Sequence, residues 1–148
     1  MRRPYATALA LGLGILWAGR LFAHHSFAGE FDNTSVVTLN GIVTSVEIIN
    51  PHSWIYLDVT TDGATERWAL EGPGPFVLNR RGLAADFIKP GDGLGVCGYL
   101  AKVGAMPTRS EPGTGVPARK LSAAVLMMPE RGPFAWNNYH QGKCGLDK

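Results

Sequence analysis

The sequence predicts an all-β fold: a small five-stranded OB-like barrel with one short helix after the third strand. Three observations carry that expectation. Five β-rich runs are separated by turn signals, the stretch Ser53 to Thr60 alternates with a period of two, and one helix-like segment falls between the third and fourth runs. A small β-sandwich is the rival, because five short strands can stack as well as close.

The first run, Gly41-Ile42-Val43-Thr44-Ser45-Val46-Glu47-Ile48-Ile49, is β-branched, with strand signals from Val36 onward, and Asn50-Pro51 ends it. In the second, Ile55, Leu57 and Val59 face one way and Trp54, Tyr56 and Asp58 the other, which predicts a strand with one face buried. Asp62-Gly63 is a hairpin signal leading to a third strand, Glu66 to Glu71. Pro75 to Arg81 then reads as a short helix: proline suits its first turn, Arg80 and Arg81 its C-terminal end, and Gly82 its stop. Lys89-Pro90-Gly91-Asp92 turns into a fourth strand, Leu94 to Ala101. A Pro/Gly-rich loop from Gly104 to Pro117 precedes a fifth, Lys120 to Met127. The aromatic, aperiodic tail from Pro129 is expected to pack as an irregular segment.

Upstream, Arg2 and Arg3, the apolar run Leu9 to Ala18 and Leu21-Phe22-Ala23 have the order of an export signal. The expected division is a signal peptide over residues 1–23 and one domain over 24–148, working in the periplasm or secreted. Ala18 is the competing cut, since Arg20 sits unusually close to Ala23. The apolar run is shorter than the roughly 20 residues a membrane helix needs. Removing Arg2, Arg3 and Arg20 from the 14 basic residues leaves 11 against 12 acidic, so the formal charge moves from +2 to −1. No basic stripe remains, which argues against nucleic acid and anionic membrane surfaces as partners. Two cysteines, Cys97 and Cys144, suit one disulfide in an oxidising compartment. It would pin the tail to the fourth strand, closing a loop of about 48 residues worth about 3–4 kcal/mol.

Cleavage after Ala23 would place the α-amine and imidazole of His24 beside His25, a nitrogen-rich set that favours Cu(II) among divalent ions. His52, at the turn between the first two strands, is the candidate distant ligand; local turn chemistry is its plain alternative. His140 reads as a surface histidine. Trp54 and Tyr56 form a candidate aromatic platform, with cross-strand packing as the alternative. Glu30, Asp32, Glu47 and Asp58 are expected at solvated strand edges, because no spacing holds two carboxylates at a fixed separation. Ser26 and Ser53 each follow a histidine, but adjacent strand residues point to opposite faces, so a Ser-His nucleophile is not supported. Phosphate-loop, HExxH and CxxC patterns are absent from the sequence.

Several short motifs keep their order along the chain: Ala23-His24-His25-Ser26-Phe27, Glu30-Phe31-Asp32, Gly41-Ile42-Val43, Asn50-Pro51-His52-Ser53-Trp54-Ile55, Arg80-Arg81-Gly82, Lys89-Pro90-Gly91-Asp92 and Gly98-Tyr99-Leu100-Ala101-Lys102. In these the chain resembles a family of small exported bacterial proteins catalogued only as a domain of unknown function. The resemblance runs from His24 to about Lys102 and implies export and a small β-rich fold, without an activity.

Three functional expectations follow. The first is a non-catalytic exported binding module that takes a small ligand or a metal ion, copper above others, through His24, His25 and His52. The second is a copper-dependent oxidase or monooxygenase using the same histidines as a brace. The third is a metal-free envelope module that binds a protein along a strand edge or face.

Overall fold

The structure, a computed structural model, describes residues 27–83, 86–102, 108–137 and 141–144. Helix α1 (Phe27–Glu30) runs directly into β1 (Phe31–Glu47), followed by β2 (His52–Thr61), β3 (Ala64–Pro73) and helix α2 (Pro75–Arg80). Then come β4 (Gly93–Ala101), β5 (Thr108–Ser110), β6 (Pro117–Met128), β7 (Gly132–Ala135) and a 3-10 turn, Gln141–Cys144. The chain is all-β, and its sheet is largely antiparallel.

Strand β1 serves two neighbours. It pairs with β4 from Phe31 to Ile42 and with β2 from Ile42 to Glu47. Next to that handover sits Gly41, where a Cβ would lie 2.3 Å from the Asp58 carbonyl oxygen, so glycine is what permits the close approach. Strands β2 and β3 form a hairpin around Asp62 and Gly63, both with positive φ, as the Asp-Gly signal predicts. Strand β3 pairs in parallel with β6, β6 pairs with β4, and β4 returns to β1. These pairings close a ring of five strands. Its interior holds Ile55, Leu57, Leu70, Val96, Leu121 and Leu126, all fully buried.

The expected strands and helix are present, with three differences. Strand β1 starts ten residues before Gly41, at Phe31, because β4 supplies a partner for its polar first half. The loop from Gly104 to Pro117 contains β5, three residues between Pro107 and Pro112 that pair with the start of β6. Part of the tail is regular: β7 pairs with β6, and Trp136 enters the core over Gly72. A Cβ on Gly72 would fall 1.7 Å from the Trp136 Nε1, so the indole occupies the room a side chain would need. Arg81, just past α2, donates to the Ala135 and Trp136 carbonyl oxygens at 3.1 and 2.6 Å and ties the tail to the helix.

Cys97 and Cys144 lie at disulfide-bonding distance, Cα atoms 5.7 Å apart, which joins the tail to β4. Beside them Phe27 stacks on Phe31 and meets Tyr99 edge-on, so the first described residue rests on the same patch as the tail. Among the described residues no helix is long and apolar enough to cross a membrane.

Candidate functional site

The outward residues of β2, β3 and β6 form one polar face, and His52 stands at its end. Because side chains alternate along a strand, His52, Trp54, Tyr56 and Asp58 share this face with Arg67, Ala69 and Glu71 of β3. His52 pairs with Pro73 and Trp54 with Glu71, so His52 and Glu71 are diagonal neighbours. The His52 Nδ1 lies 2.6 Å from the Glu71 Oε1. The histidine side chain is 46% exposed and the glutamate only 10%.

Glu71 is held from its other side. Its Oε2 is 3.0 Å from the Nζ of Lys120, which the parallel ladder places opposite Ala69. Lys120 is 8% exposed and also bonds the carboxylate of Glu30, at the end of α1. Its ammonium sits 5.4 Å from the ring centroids of Phe31 and Trp54, a favourable position for a cation. The chain of contacts therefore runs Glu30, Lys120, Glu71, His52. With Glu30, Lys120 and Glu71 ionised it carries one net negative charge, and His52 is its half-exposed end.

Trp54 and Tyr56 do share a face, as their spacing requires, but that face is covered. The Arg109 guanidinium lies 4.3 Å above the Trp54 ring, and its Nε donates to the Tyr56 hydroxyl at 2.7 Å. Tyr56 in turn donates to Glu47 at 3.0 Å. Burial, reinforced by Glu47 and opposed by Arg109, pushes the Tyr56 hydroxyl up to about 12. Short β5 does the covering, because its pairing sets Arg109 beside Ala118, on this face.

Further along, Arg67 clasps Asp58 through two hydrogen bonds of 2.7 Å and reaches the Glu111 carboxylate. Glu111 also accepts from Ser45 at 2.6 Å and Thr44 at 3.0 Å. Burial pushes the Glu111 carboxyl up, but these hydrogen bonds and the Arg67 charge outweigh it and hold the group below its usual range. Arg109 also reaches the Glu47 carboxylate at 3.2 Å, so Glu30, Glu47 and Asp58, expected at solvated edges, are each tied to a cation. Asp32 is not paired with a cation among the described residues: only partly exposed, it accepts from Thr34 and Ser35, which bring its carboxyl down to about 2.

His24, His25 and His140 lie outside the described residues. Among the described residues no group of three or more His, Cys, Asp or Glu side chains is arranged to hold a metal ion. Ser53 is fully buried on the inner face of β2, while His52 points outward. Sequence reasoning missed Glu71 and Lys120. Glu71 carries a readable signal, a charge closing the apolar run Trp68-Ala69-Leu70, whereas Lys120, next to Arg119, looks like part of a solvated basic pair.

Residues 15–109 match the model of a family of unknown function, DUF6152. The chain belongs to this family. Within the matched span lie His24, His25, Glu30, His52 and Glu71, whereas Lys120 and Cys144 fall beyond it. No curated protein matches the chain.

Proposed function

We propose that this member of the family is an exported, non-catalytic binding module, an OB-type barrel whose ligand is a transition-metal ion, Cu(II) first. The barrel reading is supported by the closed five-strand ring, the helix between its third and fourth strands and the parallel closure of β3 on β6. The observation that carries the metal reading is the His52–Glu71 pair. A ligating histidine characteristically gives its second ring nitrogen to a carboxylate, which fixes the ring and leaves the other nitrogen for the metal. Here Glu71 engages Nδ1, so Nε2 is the nitrogen left over. The net negative charge behind it favours a cation. Cleavage after Ala23 would add the amine and imidazole of His24, with His25 as a further nitrogen donor.

The mature protein, exported with its own leader, is weighed intact and titrated with Cu(II) under paramagnetic resonance. The expected result is a His24 terminus, a nitrogen-rich Cu(II) spectrum, and weakening about 10-fold or more in both His24→Ala and His52→Ala. A Gly19 terminus, or binding that survives both substitutions, overturns the reading. Oxygen consumption by the copper form in the presence of a reductant would replace carriage with the oxidase alternative.

A further inference from the structure

We infer that the end of the ring away from His52 is a second binding site, for a small carboxylate with an apolar body. It uses none of the residues of the metal reading and does not depend on it.

The site follows from how two strands part. Strand β2 pairs with β1 only as far as Asp58, opposite Ile42; beyond it β2 continues along β3, while the earlier half of β1 lies along β4. At its His52 end the ring is filled by Leu78 of α2 and by Trp136. Where β1 and β2 part, a cavity of about 270 Å³ remains. It is lined by Val59 and Trp68 of the core, by Leu39 packed against that core, and by Thr61, Ala64 and Glu66.

Two polar features of this cavity call for an anionic head group. Trp68 is 4% exposed, and its Nε1, which can only donate, meets no acceptor among the described residues. A buried donor left unpaired is costly, so an oxygen brought there by a ligand is strongly favoured. Over the same ring, 4.3 Å from its centroid, lies the Arg119 guanidinium, whose Nη1 donates to Glu66 at 3.1 Å. A guanidinium is a planar fork that suits a carboxylate held by two nitrogens, and Glu66 engages it through one. Both members of the pair are about half exposed, so water screens their attraction and moving the guanidinium off the ring costs little. A carboxylate entering there would set one oxygen on Nε1 and the other on Arg119, with its body against Leu39 and Val59. Since an apolar cavity of about 150 Å³ holds benzene, one of about 270 Å³ suits a single ring or short chain with an acid group.

Glu66, at the same rim, makes the charge of the ligand testable, because it opposes an anion and would favour an amine. The mature protein, labelled with nitrogen-15, is titrated with phenylacetate, hexanoate and, as the opposite charge, hexylamine. The indole N–H signals are followed by magnetic resonance, and Trp68→Phe identifies the Trp68 signal by its loss. Both acids should move that signal to saturation, and hexylamine should not. Arg119→Met should weaken phenylacetate about 10-fold or more, the worth of a hydrogen bond to a charged group. Glu66→Gln, a surface change, should instead tighten it about 2–5-fold by removing the competing acceptor. Trp68→Phe, followed through the methyl signals of Leu39 and Val59, keeps an apolar wall but should bind about 5-fold more weakly for want of the donor. A Trp68 signal that neither acid saturates, hexylamine binding at least as tightly as hexanoate, or weaker phenylacetate binding in Glu66→Gln each overturns the inference. If Arg119→Met fails to fold by circular dichroism, Arg119→Lys, which keeps the charge without the fork, must show the weakening; unchanged affinity there overturns the role of the guanidinium and the inference with it.

Discussion

The two faces of strand β2 are buried by different physics. Its inner residues Ile55 and Leu57 are covered by apolar side chains from every strand of the ring. On the outer side, Trp54 and Tyr56 are equally inaccessible, but what covers them is charge: Arg109 and Lys120 lie over Trp54, and Arg109 with Glu47 caps Tyr56. Apolar burial is non-directional and adds up with area, whereas a buried charge stabilises only while every partner stays in place. The inner face should therefore fail in proportion to volume lost, and the outer face in proportion to partners lost.

The largest effect is expected inside. Leu57→Ala removes a fully buried side chain from the centre of the ring and should cost about 3–4 kcal/mol, the usual range for such cavities. Chemical denaturation with an unchanged m-value would measure it. A loss under about 1 kcal/mol would mean that the ring collapses to fill the space and that the inner face is not tightly packed.

On the outer face the corresponding substitution is Arg67→Met, which strands Glu111 and Asp58 without their cation. It should cost about 3 kcal/mol, and adding Glu111→Gln should restore part of that loss because the orphaned buried charge is gone. No such rescue exists for a cavity. The pH dependence follows from the same carboxylate. Glu111 titrates lower in the folded chain than its ordinary 4.5, so its contribution is present above the unfolded value and disappears as pH falls through the folded one. The acid limb of stability should accordingly be shallower in Glu111→Gln than in the parent. Identical acid limbs would show that the Glu111 network does not couple to folding.

This division also explains what was legible in the sequence. Alternation from Ser53 to Thr60 identified the inner face, because a period of two is a local property. Turn chemistry likewise located the Asp62-Gly63 hairpin and the Pro75 helix. The covering of Trp54 and Tyr56 was not local: Arg109 is 53 residues from Tyr56, and Lys120 is 90 from Glu30. Strand β5 escaped because three residues between prolines carry too little propensity to be seen without their partner on β6. At the candidate site, His52 was legible from its turn. The glutamate that orients it was not, since diagonal pairing depends on the register between two strands.

A surface pair completes the comparison by separating burial from mere pairing. Arg119 and Glu66 are linked at 3.1 Å but are 51% and 56% exposed. Water screens such a pair, so Glu66→Gln should cost no more than about 0.5 kcal/mol, and added salt should erase even that. Arg119→Ala should cost slightly more, about 1 kcal/mol, because the guanidinium also lies 4.3 Å above the Trp68 ring and shields it. The two variants, followed by thermal unfolding at low and high salt, separate charge from cover. If Glu66→Gln proved as costly as Arg67→Met, exposure would not be what distinguishes these pairs, and both would have to be treated as parts of one cooperative charge network. If Arg119→Ala matched Glu66→Gln, the stacked guanidinium would contribute nothing as a lid. By the same measure, the cover that Arg109 provides over Trp54 would then owe its strength to Tyr56 and Glu47 rather than to the ring beneath it.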